Sequence, residues 1–148
     1  MKIIGVIGAG ECDEKTYLTA YNIGKIIAAN NNILICGGLY GVMEAACKGA
    51  KEDGGITVGI LPGHSMESAN KYVTVPIATN MGHARNVIIA STSSFLIAIG
   101  GGYGTLSEIA IGLKTGKKVY SLDSWDIKGV IKLTSCKEFE KIVKVLNL

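Results

Sequence analysis

The chain has 148 residues, of which 48% are hydrophobic, 18% are charged, 20 are glycine and 2 are proline. This length and composition fit one folded domain spanning residues 1–148 and exclude a disordered or fibrous protein. The net charge of +3 is too small to indicate a nucleic-acid-binding protein. The four cysteines form no C-x-x-C pair, so we expect neither a metal site nor a disulfide framework, and reduced thiols fit a cytoplasmic protein.

Short apolar runs that are typical of strands alternate with helical patterns along the chain. In chain order, the predicted strands are residues 2–7, 33–36, 56–61, 71–77, 95–99 and 118–122, the last of these being the final strand. The predicted helices between and after them are residues 16–30, 42–52, 82–91, 105–113 and 136–146. Near-continuous apolar strands are typical of parallel strands that helices cover on both faces. The pattern predicts an α/β protein with a doubly wound, mostly parallel sheet in three α/β/α layers.

One uncharged stretch, residues 86–107, is long enough to raise the question of a membrane span. The glycine triplet at 100–102 and the hydroxyl-rich run at 91–94 interrupt it. A helix that leads into a buried strand explains the stretch better, so we expect no membrane segment.

Glycine-rich segments follow the predicted strands, at the edge where doubly wound sheets bind their ligands. Two of them, residues 37–41 and 100–104, share the pattern GG-x-YG. One interpretation is that turns between strands and helices simply favour glycine. The other is that their backbone N–H groups, with the helix that follows, hold a phosphate. On the second interpretation the predicted ligand-binding residues are Gly8, Gly10, Gly37, Gly38, Gly41, Gly100, Gly101, Gly102, Tyr103, Gly104 and Thr105.

Two common nucleotide-binding motifs are absent from these segments. No lysine follows the last glycine of residues 100–104, so the P-loop pattern is missing. The first segment begins as G-x-G but has Asp13 in place of the third glycine, so the dinucleotide fingerprint is incomplete.

Glu108 has two interpretations. Thr105 and Glu108 have the T-x-x-E spacing of a capping box, in which the glutamate binds the N–H of the cap residue. Alternatively, the carboxylate lies beside the phosphate-binding loop, where it stabilises a sugar cation or activates water. Arg85 lies in an otherwise uncharged helix start, and a guanidinium suits two-point recognition of phosphate, so we predict that it contacts the ligand.

The remaining reactive side chains give weaker signals. His83 is equally consistent with a helix cap and with a ligand contact, and His64 reads as a loop residue. Cys12 lies near the glycine-rich edge, but no neighbouring base marks it as a nucleophile.

Residues 82–86, which read G-H-A-R-N, and residues 101–108 together resemble the paired signature of the LONELY GUY and "possible lysine decarboxylase" superfamily. That signature is P-G-G-x-G-T-x-x-E with an upstream R-K pair, and residues 41–46 and 58–62 also match its spacing. The resemblance covers about residues 2–122. It implies a Rossmann-like fold and a homodimer or larger homo-oligomer.

The resemblance implies two different functions. LONELY GUY enzymes cleave the N-glycosidic bond of cytokinin nucleoside monophosphates, and on that resemblance Arg85 and Glu108 are catalytic. This chain departs from the motif at Gly100, where the family has proline, and at Asn86, where it has lysine. The G-H-A-R-N form is similar to a subgroup related to molybdenum-cofactor carrier proteins and the DNA-processing Smf-related family. Such carriers bind a phosphorylated pterin without hydrolysing it.

Both functions stay open at this point, and Asn86 favours binding because a lost cation removes a partner for phosphate or for the transition state. We therefore expect a small phosphorylated, nucleotide-like ligand, either molybdenum cofactor or a nucleoside monophosphate. No other cofactor is required. The alternative is a nucleoside 5′-monophosphate phosphoribohydrolase.

Overall fold

The structure is a computed structural model that describes Met1–Asn147 as a seven-stranded sheet with five α-helices. The strands are β1 (Ile3–Gly8), β2 (Ile33–Cys36), β3 (Thr57–Leu61), β4 (Val75–Ala78), β5 (Phe95–Ile99), β6 (Val119–Leu122) and β7 (Ile131–Lys132). The helices are α1 (Glu14–Ala29), α2 (Val42–Glu52), α3 (Asn86–Thr92), α4 (Tyr103–Lys114) and α5 (Cys136–Leu146). Two short 3₁₀ helices span Met66–Ser68 and Gly82–Arg85.

The strand order is β4-β3-β2-β1-β5-β6-β7, and every ladder is parallel. The chain builds outward from β1 to β4, then returns to the other side of β1 and builds outward again from β5 to β7. The order therefore reverses between β1 and β5, where a crevice forms outside the carboxyl ends of the strands. The predicted doubly wound three-layer fold is confirmed, and the sheet is wholly rather than mostly parallel.

Alternating strand side chains form two separate apolar layers, one on each face of the sheet. On one face Val6 and Ile97 pack with α1, α2 and α5. On the other face Ile7 and Leu96 pack with α3 and α4. The helices bury both faces of the sheet, which is why the central strands are apolar at consecutive positions.

Apart from shifts of one or two residues at the ends of elements, three predictions about the elements are wrong. Residues 71–74 precede β4 as a turn, in which the N–H of Tyr72 donates to the side-chain oxygen of Asn70 at 3.0 Å. The predicted helix at 82–91 divides into the 3₁₀ helix and α3. The strand at 118–122 is not the last one, because β7 pairs with β6 through two exposed residues that carry no apolar pattern.

No helix within residues 1–147 combines the length and the hydropathy that a membrane span needs. The predictions of one domain over residues 1–148 and of a cytoplasmic location stay predictions.

Candidate functional site

A cavity of about 220 Å³ opens at the point where the strand order reverses. Its walls come from the carboxyl ends of β1 and β2, from the 3₁₀ helix before α3, and from the first turns of α2 and α4. The lining residues are Val6, Ile7, Gly8, Ala9, Gly10, Gly37, Met43, His83, Arg85, Asn86, Gly102, Gly104, Thr105 and Glu108. Most of the wall is therefore glycine backbone and apolar side chain, with five polar side chains among them.

Glycine at position 37 leaves room for two long side chains of this cavity. A Cβ atom there would lie 2.8 Å from the Met43 sulfur and 2.9 Å from Nη2 of Arg85. Both distances are shorter than real Cβ contacts allow. A side chain at position 37 would therefore displace the Arg85 guanidinium from the end of β2.

The amino terminus of α4 faces the cavity without a side-chain cap. Its N-cap is Gly102, which has no side chain, and Gly102, Gly104 and Thr105 all line the cavity. The first N–H groups of an α-helix have no partner within the helix and carry the positive end of its dipole. The start of α4 therefore favours an anion in this cavity.

The position at which α4 begins decides between the two interpretations of Glu108. The helix begins at Tyr103, so Thr105 lies in its first turn and cannot act as the N-cap. The capping-box interpretation of Thr105 and Glu108 is wrong for this reason. Two side chains instead hold the preceding loop, since Ser124 Oγ donates to the Gly100 carbonyl at 2.6 Å and Trp125 Nε1 donates to the Gly102 carbonyl at 3.0 Å.

Arg85 is buried, with 8% of its surface exposed. Its Nε donates to the Ile60 carbonyl at the end of β3 at 2.7 Å, and its Nη1 donates to the Gly82 carbonyl at 3.4 Å. Nη2 has no hydrogen-bond partner among residues 1–147. Burial lowers the pKa of Arg85, while Glu108 and Cys36 raise it. The guanidinium is thus anchored by one edge and keeps donors free.

Glu108 lies on α4 with 8% of its surface exposed. Burial raises the pKa of Glu108 to about 8, although the positive charge of Arg85 lowers it. Within the described chain, the ion pairs closer than 4.0 Å are Lys25–Asp53 and Lys144–Glu140, so Arg85 and Glu108 are not in direct contact. Glu108 is therefore mostly protonated at pH 7 and does not cancel the charge of Arg85.

Six of the glycine-rich positions predicted to bind ligand line the cavity, and five do not. Gly8, Gly10, Gly37, Gly102, Gly104 and Thr105 line it. Gly38, Gly41, Gly100, Gly101 and Tyr103 are outside the lining set. Ligand contact stays a prediction for all of them.

Close packing explains the glycine at position 41, and exposure explains why Tyr103 is outside the cavity. Gly41 has a φ of +63°, and a Cβ there would collide with the backbone of Ala9 and Gly10. Tyr103 is 83% exposed and lies beside Trp125, with their ring centroids 6.0 Å apart. Glycine at 41 thus permits two loops to approach closely, and Tyr103 contributes to a surface next to the cavity.

Two further side chains, which the sequence does not mark as ligand-binding, also lie at the cavity. In the sequence, Asn86 is only a departure from the family motif and Met43 only part of a matching segment, yet both line the cavity. His83 also lines it, whereas His64 and Cys12 do not. Burial raises the pKa of the Cys12 thiol, with Asp13 adding to the effect, which does not favour a thiolate nucleophile.

No group of three or more His, Cys, Asp or Glu side chains in Met1–Asn147 is placed to hold a metal ion.

This chain, a wholly parallel doubly wound α/β protein with a cavity at the strand ends, matches the model of a known family. The chain belongs to the SLOG cluster4 family, whose model matches residues 1–147. It is 60% identical over 119 residues to a protein of Archaeoglobus fulgidus, an alignment that covers 80% of this chain and 78% of that protein. It is also 30% identical over 93 residues to a probable cytokinin riboside 5′-monophosphate phosphoribohydrolase of Oryza sativa subsp. japonica. That match covers 61% of this chain and 41% of the rice protein's length.

Two solved structures are similar over nearly the whole chain. The molybdenum cofactor binding protein of Rippkaea orientalis is 36% identical with a TM-score of 0.93, covering 99% of this chain and 98% of that one. The molybdenum cofactor carrier protein of Chlamydomonas reinhardtii is 39% identical with a TM-score of 0.90, covering 98% of this chain and 97% of that one. The predicted relation to the LONELY GUY superfamily and to molybdenum cofactor carriers is confirmed.

The burial of Glu108 predicts a stability that depends on pH. The pKa of Glu108 is near 8 in the folded chain and near 4.5 when it is solvated, so the unfolded chain loses this proton first. The free energy of unfolding therefore falls as the pH rises from about 4.5 to about 8, and this contribution is constant outside that window. We expect Glu108→Gln to raise the free energy of unfolding at pH 8 by about 2–4 kcal/mol and to have little effect at pH 4.

Urea unfolding of both proteins at the two pH values measures this difference. The matched control is Glu67→Gln, which changes an exposed glutamate outside the cavity. An equal effect of Glu108→Gln at pH 4 and pH 8 would contradict the burial argument.

Proposed function

We propose that this protein binds a phosphorylated, nucleotide-like ligand in the strand-end cavity and acts as a carrier of molybdenum cofactor. The observation that carries the proposal is that the uncapped start of α4 and the buried Arg85 serve the same cavity. The similarity to two molybdenum cofactor proteins over nearly the whole chain supports it.

The phosphate would lie at the start of α4. Glycines at 102 and 104 leave the backbone open, so a phosphate oxygen can approach the free N–H groups of the first turn. Arg85 offers Nη2 and the remaining N–H groups that its two carbonyl partners leave free. Hydrogen bonds from a guanidinium to an anion contribute about 1.5–3 kcal/mol each.

The electrostatics of the cavity suit an anionic cargo at neutral pH. A carboxylate beside a phosphate would repel it, but Glu108 keeps its proton at pH 7 because burial raises its pKa to about 8. The charge of Arg85 therefore acts without an opposing charge from Glu108. A protonated Glu108 also offers an O–H donor to the ligand.

A flat ring system attached to this phosphate would lie against the glycine-lined wall of the cavity. A Cβ at Gly37 would meet the Met43 sulfur and the Arg85 guanidinium. A Cβ at Gly8 would collide with the Ile99 carbonyl and Val42, so glycine there permits close packing behind the wall. A carrier breaks no bond, and its residues only bind, orient and shield the cargo. Arg85 and α4 would hold the phosphate, while the glycine backbone and Met43 would contact the ring.

Because Arg85 would bind the phosphate, we expect its removal to lower the affinity for the ligand more than that of any other side chain in the cavity. We expect Arg85→Ala to weaken the binding of neopterin monophosphate, a phosphorylated pterin, by about 10- to 100-fold in titration calorimetry. Arg85→Lys keeps the charge but loses the planar donor pair, so an intermediate loss is expected.

The matched control for this prediction is Lys128→Ala, which removes a cation outside the cavity and should leave the affinity unchanged. Unaltered affinity in Arg85→Ala would show that the ligand does not bind where we place it.

A second function is favoured by Glu108. A carboxyl group and an arginine in one cavity are the pair that cleavage of an N-glycosidic bond would use, and the chain is similar to a probable phosphoribohydrolase. In that reaction the bond between C1′ of ribose and the base breaks, water adds to C1′ and the base leaves with a proton. Glu108 would donate that proton or, when ionised, assist the attack of water.

Release of free base separates the two functions. As a carrier, the protein should release no base from a panel of nucleoside 5′-monophosphates, and neopterin monophosphate should raise its melting temperature. Steady base release that Glu108→Ala abolishes would instead establish the hydrolase. Chromatography of the free base after incubation at pH 7 and at pH 8.5 makes this measurement.

A further inference from the structure

The buried polar side chain of Asn86 takes no part in the phosphate binding proposed above. Asn86 is the first residue of α3, lines the cavity and is 5% exposed. Its Nδ2 donates to Ser107 Oγ at 3.0 Å and to the Gly104 carbonyl at 3.5 Å, both on α4. The Gly104 carbonyl can only accept, so these contacts fix which end of the amide faces α4.

The other end of the amide is left without a partner. Oδ1 of Asn86 accepts no hydrogen bond from any residue of Met1–Asn147. It is not sealed in the core either, because the single fully buried side-chain polar atom without a partner in the described chain is Asn32 Nδ2. The small exposed surface of Asn86 therefore includes Oδ1, and the cavity is the space that this residue lines.

Asn86 Oδ1 differs in chemistry from the other buried polar groups of the wall, the exposed His83 aside. Arg85 and the start of α4 only donate hydrogen bonds, so they select phosphate and other acceptors. The Thr105 hydroxyl and a protonated Glu108 both donate and accept, so either adapts to the ligand. Asn86 Oδ1 only accepts, and α4 holds it in a fixed orientation.

We propose that Asn86 is a specificity-determining residue whose Oδ1 accepts a hydrogen bond from the amino group of an amino-substituted heterocycle such as a pterin. This inference rests on the proposed function, because it assumes that the phosphate of the same ligand lies at Arg85 and α4. A fixed acceptor left unpaired in a buried wall disfavours a ligand that lacks the matching donor. Asn86 thus recognises the ring of the ligand, while Arg85 binds its phosphate.

The experiment compares three probes by titration calorimetry. They are neopterin monophosphate, its 2-deamino counterpart and ribose 5-phosphate, which has a phosphate but no ring. We expect the wild-type protein to bind neopterin monophosphate about 3- to 10-fold more tightly than the 2-deamino compound, the effect of one net hydrogen bond.

Three variants separate recognition of the amino group by Oδ1 from the hydrogen bonds that hold Asn86 to α4, which we call the tether. Asn86→Leu removes both the acceptor and the tether, so the preference for the amino compound should vanish. Asn86→Asp removes the amide donors but keeps an oxygen acceptor, so the preference should persist even if its charge weakens all three probes. Ser107→Ala removes one anchor and leaves Oδ1 in place, so it should also keep the preference.

The role of Asn86 is supported if the wild type prefers the amino compound and Asn86→Leu alone loses this preference. It is overturned if the wild type does not discriminate, if Asn86→Leu still discriminates, or if Asn86→Asp and Asn86→Leu lose the preference equally, which would mean a purely structural tether. Should Asn86→Leu fail to fold, loss of the preference in Ser107→Ala or in Asn86→Asp overturns it. If the wild type binds none of the three probes, the proposed function fails as well, whereas binding of ribose 5-phosphate without discrimination fails this inference alone.

Discussion

The site depends on placing a guanidinium in a largely dehydrated position at the ends of β2 and β3. Burial lowers the pKa of Arg85, so its charge is retained at a cost that its surroundings must offset. The Ile60 carbonyl accepts from Nε at 2.7 Å, and the absence of a side chain at Gly37 leaves room for Nη2. These two features orient the free edge of the guanidinium, and the remaining polar groups of the cavity act in relation to it.

Glu108 shows why the distance between two buried groups matters. In direct contact, Arg85 and Glu108 would form an ion pair and neutralise each other. They are not within 4.0 Å, so burial prevails over the attraction of Arg85 and raises the pKa of Glu108 to about 8. The result is a cavity with a cation and a neutral acid, which suits an anionic ligand that carries both acceptors and donors.

Backbone geometry supplies the rest of the site. A parallel sheet directs the amino termini of its following helices toward one edge, so α4 presents unpaired N–H groups beside the loop that follows β1. Glycines at the strand ends are needed for different reasons. Gly37 makes room for Arg85, whereas Gly41 permits contact with the backbone of Ala9 and Gly10.

The fold was predictable because apolar strands alternate with helices along most of the chain, and helix α5 was predicted with the bounds Cys136–Leu146 that the structure has. Arg85 stood out as a charge in an apolar segment, and it lies in the cavity. Other features depend on contacts between distant residues, which local patterns do not encode. Strand β7 has two exposed residues, and the role of Asn86 depends on Ser107, which is 21 positions away.

Helix α4 begins two residues before its predicted start, because a glycine N-cap gives no side-chain signal and Thr105 with Glu108 imitates a capping box. The same imitation makes Glu108 resemble a capping residue at a helix end, although it is buried.

The protonation state of Glu108 beside the buried Arg85 is the feature on which the proposed function most depends. Carbon-13 NMR of the labelled Glu108 carboxyl group across pH 4 to 10 tests most directly whether it is a neutral acid. A midpoint near 8 that rises further when neopterin monophosphate binds agrees with the account, whereas a midpoint near 4.5 with or without the ligand would contradict it.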